Sequence, residues 1–199
     1  MIIIKTIKDN VTNTIIIKNS KFICLLYKIH SIKDITKYLS EAKNNYKNAT
    51  HYCYGYILDN DIKSNDDKEP NNTAGVPIVK VLEQNNLNHV LCIVVRYFGG
   101  IKLGVGALTR AYSKSVSQGL KLTTFTNLIK CQNITITFSY SQEKVINNII
   151  KNDIINNKTY LDNITYNITV INCNTINNLK QIDIFIKYNN YQYIEKELV

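Results

Sequence analysis

Apolar and polar positions keep two rhythms along this chain, and each rhythm predicts an element. Strict alternation runs through residues 50–58, THYCYGYIL. Tyr52, Tyr54 and Tyr56 take one side and His51, Cys53, Gly55 and Ile57 the other, as in a half-buried strand. Residues 15–17 and 21–29 also read as strands. The unbroken apolar run of HVLCIVV, 89–95, reads as a central strand covered on both faces. The helical period appears over 31–46, where Ile32, Ile35, Leu39 and Ala42 share a face behind a Ser31/Asp34 capping pair. It returns over 74–84, with Pro77 near the start and Ile78, Val81 and Leu82 inward. A third helix is expected over 106–122, with Leu108, Tyr112, Val116 and Leu120 inward. The polar residues 59–72 read as a loop.

A second unit begins near residue 129. Ile134, Ile136 and Phe138 alternate with threonines as a strand, and Val145, Ile146, Ile149 and Ile150 form a helical stripe. Two strands follow around a turn at Asp162–Asn163, and residues 174–199 supply a helix and a last strand. The order β-α-β-β-α-β is that of a ferredoxin-like unit. The expected fold class is therefore α+β in two domains, 1–128 and 129–199.

Composition narrows the class. Hydrophobic residues make up 45% of the 199, enough for a core. No apolar run approaches the roughly 20 residues of a membrane span. The start, MIIIKTIKDN, has too short an apolar stretch for a signal peptide, so a cytoplasmic protein without membrane contact is expected. The five cysteines are far apart and lack a C-x-x-C pair, so neither a disulfide framework nor a metal site is expected, nor any cofactor.

Charge adds a location. The net charge is +9, but asparagine, lysine and isoleucine abound throughout, which weakens any argument from the total. The distribution says more. No carboxylate lies between Glu83 and Glu143, whereas Arg96, Lys102, Arg110, Lys114, Lys121 and Lys130 all do. A segment of one sign fits an anionic partner or a solvated basic surface. Both of the chain's arginines, Arg96 and Arg110, flank one glycine-rich turn, in a chain that otherwise uses lysine. Lysine cannot replace the guanidinium fork, so a specific need is implied there.

That turn, within VVRYFGGIKLGVGALTRAYS (94–113), sits between a strand and a helix. The phosphate-loop pattern fails because Val105 follows Gly104, and the dinucleotide pattern fails because Thr109 takes the third glycine's place. What remains is a helix N-terminus with exposed N–H groups, flanked by cations. Tyr97 and Phe98 are residues for stacking on a base or for packing. Upstream, Asp66, Asp67 and Glu69 lie in a loop, either as a rim for a cation or basic partner or as solvated charge. His51 and Cys53 are two apart on one strand face, about 7 Å at the backbone, which strains a direct nucleophile pair and favours a structural or interface role.

Three segments, ATHYCYGY (49–56), SNDDKEPNNTAGVPI (64–78) and VVRYFGGIKLGVGALTRAYS (94–113), together resemble the YigZ/IMPACT family across residues 15–122. The tail resembles the smaller C-terminal domain of its bacterial-type members. The resemblance implies a first domain related to domain IV of translational elongation factor G and a ferredoxin-like second domain resembling domain V. Eukaryotic members dampen a nutrient-sensing kinase of translation initiation by competing for its ribosome-associated activator. For bacterial-type members, nucleic-acid or ribosome binding is inferred from fold relatives. The family pattern carries onto His51, Asp66, Asp67, Glu69, Thr73, Gly75, Arg96, Gly99, Gly100, Gly104 and Arg110, and it supplies no catalytic residues. Lys68 stands where the family prefers glycine. Asn71–Asn72 replace a Ser-Gly pair, Ala107 a glycine and Asn48 an aspartate.

The expected function is non-catalytic binding in translation. Arg96, Arg110 and the backbone of Gly99, Gly100 and Gly104 would grip phosphates of RNA or the ribosome, or an acidic protein partner in translation control. Lys102, Lys114 and Lys121 would extend the patch, and His51, Asp66, Asp67, Glu69, Thr73 and Gly75 would form its rim. The alternative is a metal-assisted hydrolase using His51 with Asp66, Asp67 and Glu69.

Overall fold

The computed structural model describes residues 2–196. In chain order its strands and helices are β1 (Ile2–Ile7), β2 (Val11–Ile17), β3 (Ser20–Lys28), α1 (Ile32–Asn45), β4 (His51–Leu58), β5 (Asp61–Asn65), α2 (Gly75–Gln84), β6 (Val90–Tyr97) and α3 (Val105–Leu120). Then come β7 (Phe125–Phe138), α4 (Glu143–Ile149), β8 (Ile154–Tyr160), β9 (Ile164–Val170), α5 (Thr175–Leu179) and β10 (Phe185–Lys196). The fold is mixed α/β with two sheets. The chain divides into two compact units, one of Ile4–Asn127 and one of Leu128–Lys196 with the residues up to Ile3. No helix of the described residues is long and apolar enough to cross a membrane.

In the first unit the strand order is β2-β3-β6-β4-β5, and the β2/β3, β3/β6, β6/β4 and β4/β5 pairings are all antiparallel. β6 is central and buried from Val90 to Arg96, because helices cover both faces. α2 and α3 pack Ile78, Leu82, Leu108, Tyr112 and Val116 against Phe22, Cys24, Cys53 and Val94 on one face. α1 packs Ile35 and Ala42 against Ile23, Tyr56, Ile93 and Val95 on the other, with Tyr52 and Tyr54 at its margin. α1 starts as its sequence indicates: the Asp34 carboxylate accepts the N–H groups of His30 and Ser31 at 2.8 and 2.9 Å. α3 buries a wider face than its apolar stripe, adding Ala111, Ser115 and Gly119 to the expected four residues. A Cβ at Gly119 would stand 3.0 Å from Cys24 Sγ, so the glycine lets the helix lie close on β3.

The expected 59–72 loop is incorrect in its first half. Asp61–Asn65 is the edge strand β5, paired through its backbone to β4 from Tyr54↔Asn65 to Leu58↔Asp61. In the second unit the element order is β7-α4-β8-β9-α5-β10. β7 pairs β9, β9 pairs β8, and β10 pairs β7. Ile134, Ile136, Phe138, Tyr166, Ile168 and Leu179 form its core.

Candidate functional site

β-strand parity decides what the glycine-rich turn presents. On β6, Val90, Cys92 and Val94 face α2 and α3, and Arg96 continues that row. Its register partners are Phe22 on β3 and His51 on β4, so these three side chains stand abreast at one end of the sheet. Arg96 is consequently 5% exposed. Its Nη1 donates to Glu69 Oε1 at 2.5 Å, and its Nη2 lies 3.5 Å from Ser20 Oγ. The Phe22 and Phe98 rings flank the guanidinium, with centroids 5.3 and 5.6 Å away. The expectation that Arg96 grips phosphate at the surface is corrected: the guanidinium faces inward and is neutralised there.

Glu69, only 7% exposed, is the other half of this centre and forms no rim. Its Oε1 also accepts the Tyr112 hydroxyl at 2.8 Å, and its Oε2 lies 3.8 Å from His51 Nε2. His51 Nδ1 is 2.7 Å from the Asp67 carbonyl oxygen. A carbonyl only accepts, so Nδ1 carries the proton and Nε2 turns to Glu69. Cys53 Sγ approaches the Asp66 carbonyl at 3.0 Å and the Tyr112 hydroxyl at 3.3 Å. Burial pushes the Cys53 thiol and the Tyr112 phenol well up from their ordinary values, and neighbouring carboxylates add to the rise. Burial therefore disfavours a Cys53 thiolate, and the Tyr112 hydroxyl donates to Glu69.

The remaining loop residues organise backbone. Asp66 Oδ1 accepts the N–H groups of Ala74 and Gly75 at 2.9 and 2.8 Å, and Oδ2 accepts that of Asn72 at 2.8 Å. It caps α2 from eight residues upstream, where Ala74 has no oxygen to offer. Asp67 Oδ2 accepts the Tyr52 N–H at 2.6 Å. Thr73 donates to the Pro70 carbonyl at 2.6 Å, and a Cβ at Gly75 would lie 2.6 Å from the Asn65 nitrogen. The rim is therefore corrected to an internal brace. The hydrolase reading asks these three carboxylates to share one metal, whereas here they are committed to different partners. No cluster of three potential metal ligands occurs among the described residues.

Lys68 has φ of 69° and Asn72 of 61°, both left-handed. At both positions the resemblance implies glycine, the residue that adopts this conformation without steric cost. Lys68 is exposed and its side chain is not needed there. Lys68→Gly is expected to raise unfolding free energy by about 0.5–1 kcal/mol. A thermal melt at constant protein concentration reads the change, and a lower melting point would refute the strain.

Outward, the turn presents a different set. Gly100 has φ of +85°, and Gly99 donates its N–H to Ser20 Oγ at 3.2 Å. Phe98 and Ile101 are exposed at 44% and 47%, and Lys102 and Gly104 are exposed beside them. Tyr97 instead donates to the Lys47 carbonyl at 3.1 Å and packs on the α1 side. Gly104 caps α3 without a side chain, there is no acid in the first turn, and a Cβ at Gly104 would touch nothing. Arg110 is exposed and folds back over that first turn: a Cβ on Gly106 would sit 3.4 Å from its Nη1. Lys114 is exposed one turn on. Lys121 lies at the far end of α3, about 16 Å along the axis. There it lines a separate cleft with Asn85, Ser117 and Phe125, so it is corrected out of the patch.

The model of the Impact N-terminal domain family matches residues 18–120. The chain belongs to the Impact N-terminal domain family. Among the family's members, it is similar to the IMPACT family member YvyE of Bacillus subtilis, at 44% identity over 118 residues, 58% of this chain and 54% of that protein. It is also similar to the IMPACT family member YigZ of Escherichia coli, at 29% over 131 residues, 63% of this chain and 64% of that one. The matched stretch thus spans about half to two thirds of these family members. A crystal structure of a hypothetical protein superposes with a TM-score of 0.73 at 23% identity, over 94% of this chain and 97% of the other, which is a likeness of fold. The Impact-domain match contains the whole buried centre from Ser20 to Tyr112 and the exposed turn beside it.

Proposed function

We propose that this protein is a non-catalytic binding module of translation that holds RNA phosphates at the start of α3. One observation carries the reading: the Arg110 guanidinium lies over the first turn of a 16-residue helix whose N-terminus has no acidic or side-chain cap. A helix N-terminus favours anions, and a guanidinium beside it adds two more directed donors. Lys102 and Lys114 flank the spot, and the segment 84–142 contributes no carboxylate of its own to oppose a polyanion. The buried Arg96–Glu69 pair supports the turn from beneath. The tie to translation rests on family membership and on what the resemblance implies for the eukaryotic members. The succession β7-α4-β8-β9-α5-β10, with β9 between β7 and β8 and β10 paired to β7, supports reading the second unit as ferredoxin-like. The first unit is read with it as similar to domain IV of elongation factor G, in the cytoplasm beside the ribosome.

The test is a salt series of RNA binding and of ribosome co-sedimentation. The slope of log K against log salt should fall by about one for each cation removed in Lys102→Ala, Arg110→Ala and Lys114→Ala. A triple variant with unchanged slope and affinity sinks the proposal. The exposed Phe98, Ile101 and Val105 favour a second reading, an acidic protein partner in translation control on the same surface. Retention of the partner after nuclease treatment would select it.

A further inference from the structure

β5 closes the sheet order of the first unit and pairs only with β4 among the described strands. Residues 62–65 are exposed, so its outer edge offers backbone N–H and C=O groups to solvent. Beside this edge lies a cleft of about 220 Å³ between Ile62, Lys63 and Ser64 on β5 and Val76, Val79, Lys80 and Glu83 on α2. A Cβ at Gly55, the register partner of Ser64, would stand 2.6 Å from Val79 Cγ2, so glycine there lets α2 settle onto β4. Ile62 and Val76 remain 48% and 43% exposed and give the cleft an apolar lining.

We propose that this edge is a docking groove for an extended, acidic segment of a partner protein, which adds to the sheet beyond β5. The backbone row selects an extended chain, because only a strand can meet successive N–H and C=O groups in register. The cleft accepts one apolar side chain from it. Charge sets the rest. Ile62 and Ser64 share the α2 face through their register with Ile57 and Gly55, while Lys63 shares the opposite face with Tyr56. An added strand therefore meets Lys80 on one face and Lys63 on the other. Asp61 reaches Lys63 at 3.7 Å but leaves its side chain 67% exposed. Glu83 stands at the α2 C-terminal end of the groove, so the segment's carboxylates belong near Lys80. This surface is distinct from the α3 site and does not depend on it.

The probe is a set of acetylated octapeptides alternating valine or leucine with threonine, carrying two glutamates, two lysines or neither. Fluorescence anisotropy should rank them glutamate over neutral over lysine. N-methylation of alternate amides should weaken binding at least about tenfold, as should Val76→Glu, while Arg110→Ala leaves it unchanged. Amide shifts on titration should centre on residues 61–65 and 76–83. The proposal is overturned if no member binds up to about 1 mM. Equal binding of the N-methylated peptide also overturns it. So does a concentration-dependent dimer that Ser64→Pro abolishes while no peptide binds, since the edge then serves a second copy of the chain.

Discussion

Arg96→Met is expected to lower the stability of the first unit by about 3–5 kcal/mol, the cost of stranding a buried charge. The substitution removes the guanidinium but keeps its aliphatic bulk between Phe22 and Phe98. Glu69 is left 7% exposed with the Tyr112 hydroxyl and His51 as its remaining partners. Arg96→Met combined with Glu69→Leu should recover most of the loss, because an apolar pair of similar volume needs no counter-charge. The Tyr112 hydroxyl then keeps its contact to Cys53 Sγ at 3.3 Å. Urea unfolding measures both variants, with a lower midpoint at unchanged slope for the single change. An arginine devoted to surface phosphates would cost less than about 0.5 kcal/mol on removal. A loss that small for Arg96→Met would contradict the buried centre described above.

Gly99→Ala is expected to cost about 3 kcal/mol, at the upper end of overpacking effects. A methyl at Gly99 would overlap the carbonyl of Asn19 and the nitrogen of Ser20, which are backbone atoms that cannot rotate away. Those atoms belong to the tight β2–β3 turn, where Lys18 and Asn19 already hold φ of 45° and 62°. Relief by shifting the turn would break the Gly99 N–H bond to Ser20 Oγ. Gly104→Ala, five residues on, adds its methyl to open space and should cost no more than about 1 kcal/mol. Thermal unfolding of the two variants side by side checks the contrast. Equal losses would show that conformational freedom, and not contact with Asn19, is what glycine supplies at both positions.

Much of the first unit was readable because its helices and central strand carry their own periods. α1, α2 and α3 lie within a residue or so of the apolar stripes that predict them. β5 was not readable, because Asp-Ile-Lys-Ser-Asn has no alternation and its strand is imposed by pairing with β4. The rarity of arginine did locate a constraint, yet rarity is blind to direction. Parity along β6 placed Arg96 in line with Cys92 and Val94, and a strand covered on both faces has no outward side. What stayed hidden was its counter-charge, since Glu69 reaches it from a loop 27 residues away. The acidic loop was conspicuous as a cluster, but which carboxylate caps a helix and which enters the core depends on backbone geometry around Asp67 and Lys68.

The charged centre also dictates an order of events during synthesis. Its contributors come from β3, β4, the loop before α2, β6 and α3, so local contacts cannot assemble it early. Large loops must close before the carboxylate finds its guanidinium, which slows folding relative to the hairpins that form first. A nascent chain halted before Tyr112 emerges would carry an incomplete interior, and proteolytic nicks anywhere in that span would strand the same pair. Fragments ending within α3 are therefore poor surrogates for the intact unit.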